Sequence, residues 1–153
     1  MSETGRMRAP WTRRGLMVAA SAAIGGLAAA AGPRESAKMA EAQSTGTEGL
    51  LTYLHQEIDL DASPARVDEA LLDSRQFAAF SGAAAEIDRR AGGAFSLFGG
   101  RIVGRNIELV PGSRIVQAWR PADWEPGLYS LVRFQIGPRE GGATVVLDHT
   151  GFP

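Results

Sequence analysis

The 153-residue chain contains no cysteine. That absence excludes disulfides, thiolate metal sites, cysteine nucleophiles and a lipobox-type lipid anchor, so the folded part must stand on its core alone. Lysine is almost missing as well: Lys38 is the only one, and no lysine-bearing phosphate loop occurs. Gly-x-Ser-x-Gly and His-Glu-x-x-His are absent too, which removes the commonest serine-hydrolase and zinc-protease signatures. No surplus of positive charge marks a nucleic-acid binder, because 16 basic residues face 17 acidic ones for a net of −1. The longest apolar stretch, Leu16 to Ala31, is 16 residues, short of the roughly 20 that span a bilayer. Contact with a membrane is therefore expected only through an uncleaved leader.

What is present begins with that leader. Four arginines (Arg6, Arg8, Arg13, Arg14) and one acid, Glu3, fall within residues 1–31. The rest of the chain keeps twelve of the sixteen basic residues and sixteen of the seventeen acidic ones, a net of −4. Thr12-Arg13-Arg14-Gly15-Leu16-Met17 precedes the alanine- and glycine-rich run, which closes on Ala29-Ala30-Ala31. A charged start, a short and weakly apolar middle and small residues at the end make a signal peptide. The paired Arg13 and Arg14 point to the twin-arginine route and to an exported, periplasmic protein. A start codon downstream of the leader would leave it cytoplasmic. Residues 32–49 are small, polar and charged, and read as a flexible linker. The domain is expected over 50–153.

Within it, Leu51 to Asp61 alternates, with Leu54, Gln56, Ile58 and Leu60 opposite Tyr53, His55, Glu57 and Asp59, as in a strand with one buried face. Ser63-Pro64 then opens a helix to about Leu72, and Asp73 or Ser74 caps a second through Phe80. Ala84 to Arg89 reads as a weak strand. From Gly92 to Arg120, glycine pairs and Pro111-Gly112 break alternating stretches into a meander. Ile115, Gln117 and Trp119 share one face there. Tyr129 to Ile136 and Ala143 to Thr150 are the last strands, with Ser130, Val132, Phe134 and Ile136 on one side.

Six or seven twisted strands need one face covered, and two short helices are small for the task. The sequence ends at Gly151-Phe152-Pro153 without another large apolar element. The expectation is a truncated domain with some ten inner-face side chains wet, at about 1.5–3 kcal/mol each.

The order of elements, with Gly92-Gly-Ala-Phe-Ser-Leu-Phe-Gly-Gly100, the run from Gly104 to Pro111, Arg114-Ile-Val-Gln-Ala-Trp-Arg120 and the closing Asp148-His-Thr-Gly-Phe-Pro153, resembles a known family. It is similar to the C-terminal domain of activators of the 90-kDa heat-shock chaperone ATPase, whose bacterial homologues belong to the START-like, helix-grip superfamily also called SRPBCC. The resemblance covers about Leu51 to Pro153. It implies an α+β fold: a curved antiparallel sheet with two short helices between strands 1 and 2, gripping a long C-terminal helix that is missing here.

The resemblance also implies a cavity between sheet and helix, non-enzymatic, holding a small apolar or amphipathic ligand. Its expected lining or rim is Phe77, Phe95, Trp119, Trp124, Tyr129, Phe134 and His149, with Trp119, Trp124 and Tyr129 clustered about the Pro121–Gly127 loop. The alternatives are a chaperone-activating interaction domain, if the protein is cytoplasmic, and an enzyme of the cyclase or dehydratase kind with His149 as base. No cofactor, metal or catalytic residue is expected. His149 and Asp148 are neighbours on a strand, point to opposite faces and form no dyad. His55, Glu57 and Asp59 lie about 7 Å apart along a strand, too spread to hold one ion. Arg101, Arg105, Arg114, Arg120 and Arg133 read as a charged outer face interlaced with acids, or more sharply as a surface that binds an anionic ligand or docks a partner.

Overall fold

The computed structural model describes residues 53–153. The leader over 1–31, with Arg13 and Arg14, and the linker over 32–49 lie outside the described residues. Strand β1 (Tyr53–Leu60) is followed by helices α1 (Pro64–Leu72) and α2 (Ser74–Ser81). Strands β2 (Glu86–Ile87), β3 (Ala94–Leu97), β4 (Ile102–Val110), β5 (Arg114–Pro121), β6 (Ser130–Arg139) and β7 (Gly142–Thr150) complete the chain. All seven form one antiparallel sheet in the order β1-β7-β6-β5-β4-β3-β2. The strand order and paired helices are those expected for the α+β helix-grip class.

Local chemistry sets each boundary. The Ser63 hydroxyl accepts from the Arg66 N–H and Pro64 occupies the first turn, so α1 starts where the cap allows. Asp73 both closes α1, through its N–H to the Glu69 carbonyl, and opens α2, through its carboxylate. Gly82 ends α2 in the left-handed conformation (φ 71°). The β3–β4 turn is tighter still, with Phe98 itself left-handed (φ 54°) before Gly99 and Gly100. A ring contact with Phe77 at 5.3 Å holds that strained residue in place. The weak strand expected over Ala84 to Arg89 shrinks to Glu86–Ile87, because alanine contributes little to a pleated surface.

Register places one side chain set inward from every strand: Leu54, Ile58 and Leu60, Ile87, Phe95 and Leu97, Ile102, Ile115 and Trp119, Val132, Phe134 and Ile136, and Val145 and Leu147. The expectation that this face stands wet is overturned. Ile102, Ile115, Trp119, Val132 and Leu147 are each at most 1% exposed. Val67, Leu71 and Leu72 of α1 and Phe77 of α2 join the same cluster, and Phe98, Trp124 and Phe152 fold onto it from turns. Short helices and turn aromatics therefore contribute cover that strand counting alone does not anticipate.

A close approach and a bulge shape the sheet. Gly104 lies opposite Phe95, and a side chain there would collide with the Phe95 ring and the Ala118 carbonyl. In β4 the register slips between Asn106 and Glu108. Ile107 is squeezed out to 53% exposure while Asn106 turns fully inward.

Candidate functional site

Apart from the half-buried Gln56 of β1, the polar side chains of the inner face form a short set on β4, β5, β6 and β7, and these are the fully buried residues with chemistry to offer. Asn106, Gln117, Ser130 and His149 are all buried, at no more than 2% exposed. Register brings them side by side. Asn106 faces Gln117, Trp119 faces Ser130, and Gln117 and His149 both flank Val132.

Three of the partners form a line. The Trp119 indole N–H donates to Gln117 Oε1 at 2.8 Å, the Gln117 amide donates to Asn106 Oδ1 at 2.8 Å, and the Asn106 amide donates to the Asp88 carbonyl at 2.8 Å. An indole can only donate, so its bond dictates which way both amides point. The line pins the Trp119 ring, whose faces and edges meet Phe95 (6.5 Å) and His149 (5.8 Å).

His149 ends the set. Its Nε2 lies 2.8 Å from Ser130 Oγ, and that hydroxyl donates onward to the Trp119 carbonyl at 3.2 Å. Nδ1 is buried and has no hydrogen-bond partner. Burial pushes the imidazole pKa down to about 4, so the ring is neutral at pH 7. Phe152 packs on it with centroids 4.4 Å apart. The Asp148 carboxylate, as its place in the strand requires, bonds residues of the other face. His149 thus has no carboxylate to orient it as a base, and what it presents is a neutral ring nitrogen.

Of the residues expected to line a cavity, Phe95, Trp119, Phe134 and His149 stand together on this face. Phe77 belongs to the same core but sits on α2, against Phe80 and Phe98. Trp124 packs partly buried on the cluster, and its carbonyl accepts from Arg120 at 2.9 Å. Tyr129 is 47% exposed and does not join Trp119 and Trp124.

Sequence reading missed Asn106, which the bulge turned inward. Gln117 was visible as the single amide between Ile115 and Trp119. It also missed a cluster on the outer face, where Asp148 accepts from Tyr53 Oη (2.7 Å), from Arg133 Nη2 (2.6 Å) and, across 2.7 Å, from His55 Nδ1. Burial pushes that carboxyl up, but the donors of Arg133, His55 and Tyr53 outweigh it and hold the pKa at about 2. His55 and Asp59 are thereby engaged separately, His55 with Asp148 and Asp59 with Arg139 and Thr144. No group of three metal-type side chains occurs among the described residues. The arginines of this face serve inward too. Arg114 pairs with Glu108, Arg133 with Asp148, and Arg105 donates to the Gly92 carbonyl, which favours the plain reading of a salt-laced sheet surface over an anion-docking one.

Comparison with known proteins agrees with this architecture. A crystal structure of an HSP90 activator from Plasmodium falciparum superposes with a TM-score of 0.63 at 28% identity, covering 67% of this chain and 74% of that one. A Chromobacterium violaceum protein does so at 0.55 and 30% identity, over 68% and 82%. The activator of 90 kDa heat shock protein ATPase homologue of Dictyostelium discoideum is 36% identical over 96 residues, 62% of this chain and 25% of that protein. An uncharacterised Schizosaccharomyces pombe protein is 32% identical over 100 residues, 65% of this chain and 30% of that protein. The chain thus spans about a quarter to a third of the length of these curated relatives. The family model described as Activator of Hsp90 ATPase homolog 1-like protein matches residues 61–153, and with seven strands and two helices in the order that fold requires, this chain belongs to that family.

Proposed function

We propose that this domain is a non-enzymatic binding module that takes a small apolar or amphipathic molecule against the inner face of its sheet. The observation that carries the reading is His149 Nδ1: a buried ring nitrogen left without a partner in a wall whose neighbouring amides are bonded end to end. A buried polar atom without a partner costs about 1–3 kcal/mol, and a ligand that answers it recovers that cost. Phe152, partly buried on the His149 ring, is the side chain that yields to admit it. The leader places this activity outside the cytoplasm in our reading, and Arg13→Lys with Arg14→Lys should retain the protein inside in a fractionation assay. Native mass spectrometry of the full chain tests the binding. A co-purifying apolar mass that leaves on unfolding is expected, and a bare chain that also takes up no apolar probe would sink the reading.

A second reading is chaperone ATPase activation, favoured by the family and by the 28% identity to the Plasmodium activator. Tyr53 and Leu131, 49% and 44% exposed, flank Thr150 on the outer face, and Leu128 and Tyr129 precede β6 beside them. An exposed apolar group of this kind marks an interaction surface. Stimulation of a purified 90-kDa chaperone's ATPase, lost on Leu131→Glu, would establish that role instead.

A further inference from the structure

Which molecule the inner face accepts can be narrowed by following single protons, and the narrowing rests on the binding reading above. Ser130 has one hydroxyl proton and two partners, the Trp119 carbonyl at 3.2 Å and His149 Nε2 at 2.8 Å. The one arrangement that makes a hydrogen bond of both contacts sends that proton to the carbonyl. A carbonyl has none to return. In that arrangement the Ser130 oxygen accepts from His149 Nε2, 2.8 Å away. The proton of the neutral ring then sits on Nε2, and Nδ1 carries the lone pair. That nitrogen is buried, without a partner, beside the Trp119 and Phe152 rings.

From this we infer that the site selects a neutral ligand with an apolar, ring-sized body and one hydroxyl or N–H group that donates to His149 Nδ1, in the manner of a phenol or a ring alcohol. A carboxylate or phosphate would bring acceptors to an acceptor, and no cationic side chain borders the ring among the contacts it makes. An ether or ketone of the same shape fills the space and leaves Nδ1 unanswered. Specificity arises because a site built around a buried polar group rejects the analogue that cannot pair with it. Ser130 is a positioning residue here, since it touches His149 and sets the tautomer without meeting the ligand.

The chain has two histidines, so nitrogen-15 labelling of histidine in the full chain gives two ring systems, with His55 as the internal reference. In the free protein the His149 proton should appear on Nε2. Added 4-propylphenol should shift the His149 Nδ1 resonance and leave His55 unmoved. It should bind about tenfold more tightly than 4-propylanisole, which has the same body and no donor. Ser130→Ala should mix the tautomers and abolish most of that preference, while Phe152→Ala should speed entry of both probes. A proton found on Nδ1 overturns the inference. Equal affinity for the two probes also overturns it, although the binding reading then survives. If neither probe binds, both fall together.

Discussion

The indole N–H of Trp119 lies 2.8 Å from Oε1 of Gln117, and that one bond fixes the direction of every buried amide beyond it. Gln117 must turn its NH2 group to Asn106, and Asn106 must turn its own to the Asp88 carbonyl. The β2–β3 connection is thus tied to the centre of the sheet by side chains with no alternative arrangement. Such a line specifies as much as it stabilises, because an amide flip at any point would leave two donors face to face.

Gln117→Leu should therefore cost more than the loss of one bond. It leaves the Trp119 N–H and Asn106 Oδ1 unpaired in a dry interior, at about 2–4 kcal/mol in total. Urea unfolding should show a lowered midpoint with an unchanged slope, and the Trp119 emission should move as its ring is released. A loss below about 1 kcal/mol would mean that the line contributes little.

Acid should unfold the domain in two stages. His149 has its pKa lowered from 6.5 to about 4 by burial. The unfolded chain then binds a proton that the native state refuses, so stability falls as pH drops from about 6.5 to 4, by about 3 kcal/mol. Asp148, lowered from 3.8 to about 2, adds stability above pH 3.8 that is lost between there and about 2. Its partners Arg133 and His55 are half exposed, so solvent screening leaves about 1–2 kcal/mol. Urea midpoints measured from pH 7.5 to 3 test the sequence of events, and His149→Phe should erase the first stage only. A flat profile between pH 6.5 and 5 would contradict the assignment.

How far the residues announce this depends on whether a feature is local. Alternation gave the inward set Ile115, Gln117 and Trp119, and the turn glycines cut the meander where the structure cuts it. Ser63-Pro64 announced the first helix start, and the second was narrowed to Asp73 or Ser74, because capping chemistry is written within three or four residues. Asn106 was illegible, since a bulge at Ile107 breaks the period on which the reading depends. The Tyr53–His55–Asp148–Arg133 cluster was illegible for another reason. Its members meet across β1, β7 and β6, and register is a property of the folded sheet. The covered inner face was missed because a count of elements cannot say how far Phe98, Trp124 and Phe152 reach.

Gly104 and Gly137 both lie in strands with ordinary backbone angles, yet they should respond oppositely to alanine. At Gly104 the new methyl would enter the Ala118 carbonyl oxygen, which is backbone and cannot rotate away, and the Phe95 ring at 2.5 Å. A loss of about 3–5 kcal/mol or failure to fold is expected. At Gly137 the nearest atom is the Thr144 carbonyl oxygen at 4.0 Å, so alanine should be neutral or stabilising by about 0.5 kcal/mol. Thermal midpoints of the two variants decide the matter, and similar values for both would refute the close-packing argument.

The hinge between the two helices rests on Asp73, whose carboxylate accepts from the N–H groups of Arg75 (3.0 Å) and Gln76 (2.9 Å). Its own N–H closes the preceding helix on the Glu69 carbonyl at 2.8 Å, a bond that alanine would keep. Asp73→Ala should thus fray α2 and spare α1, at a cost of about 1–2 kcal/mol. Phe77 rides on α2 and props the left-handed Phe98, so loosening should travel to the β3–β4 turn. Amide hydrogen exchange should rise at Gln76 to Phe80 and at Phe98 to Gly100 while Val67 to Leu71 stays protected. Asp73→Asn, which retains an acceptor at the cap, should restore most of the protection. Exchange that rises equally in both helices would show that Asp73 supports the pair as a single unit and that the cap is not what divides them.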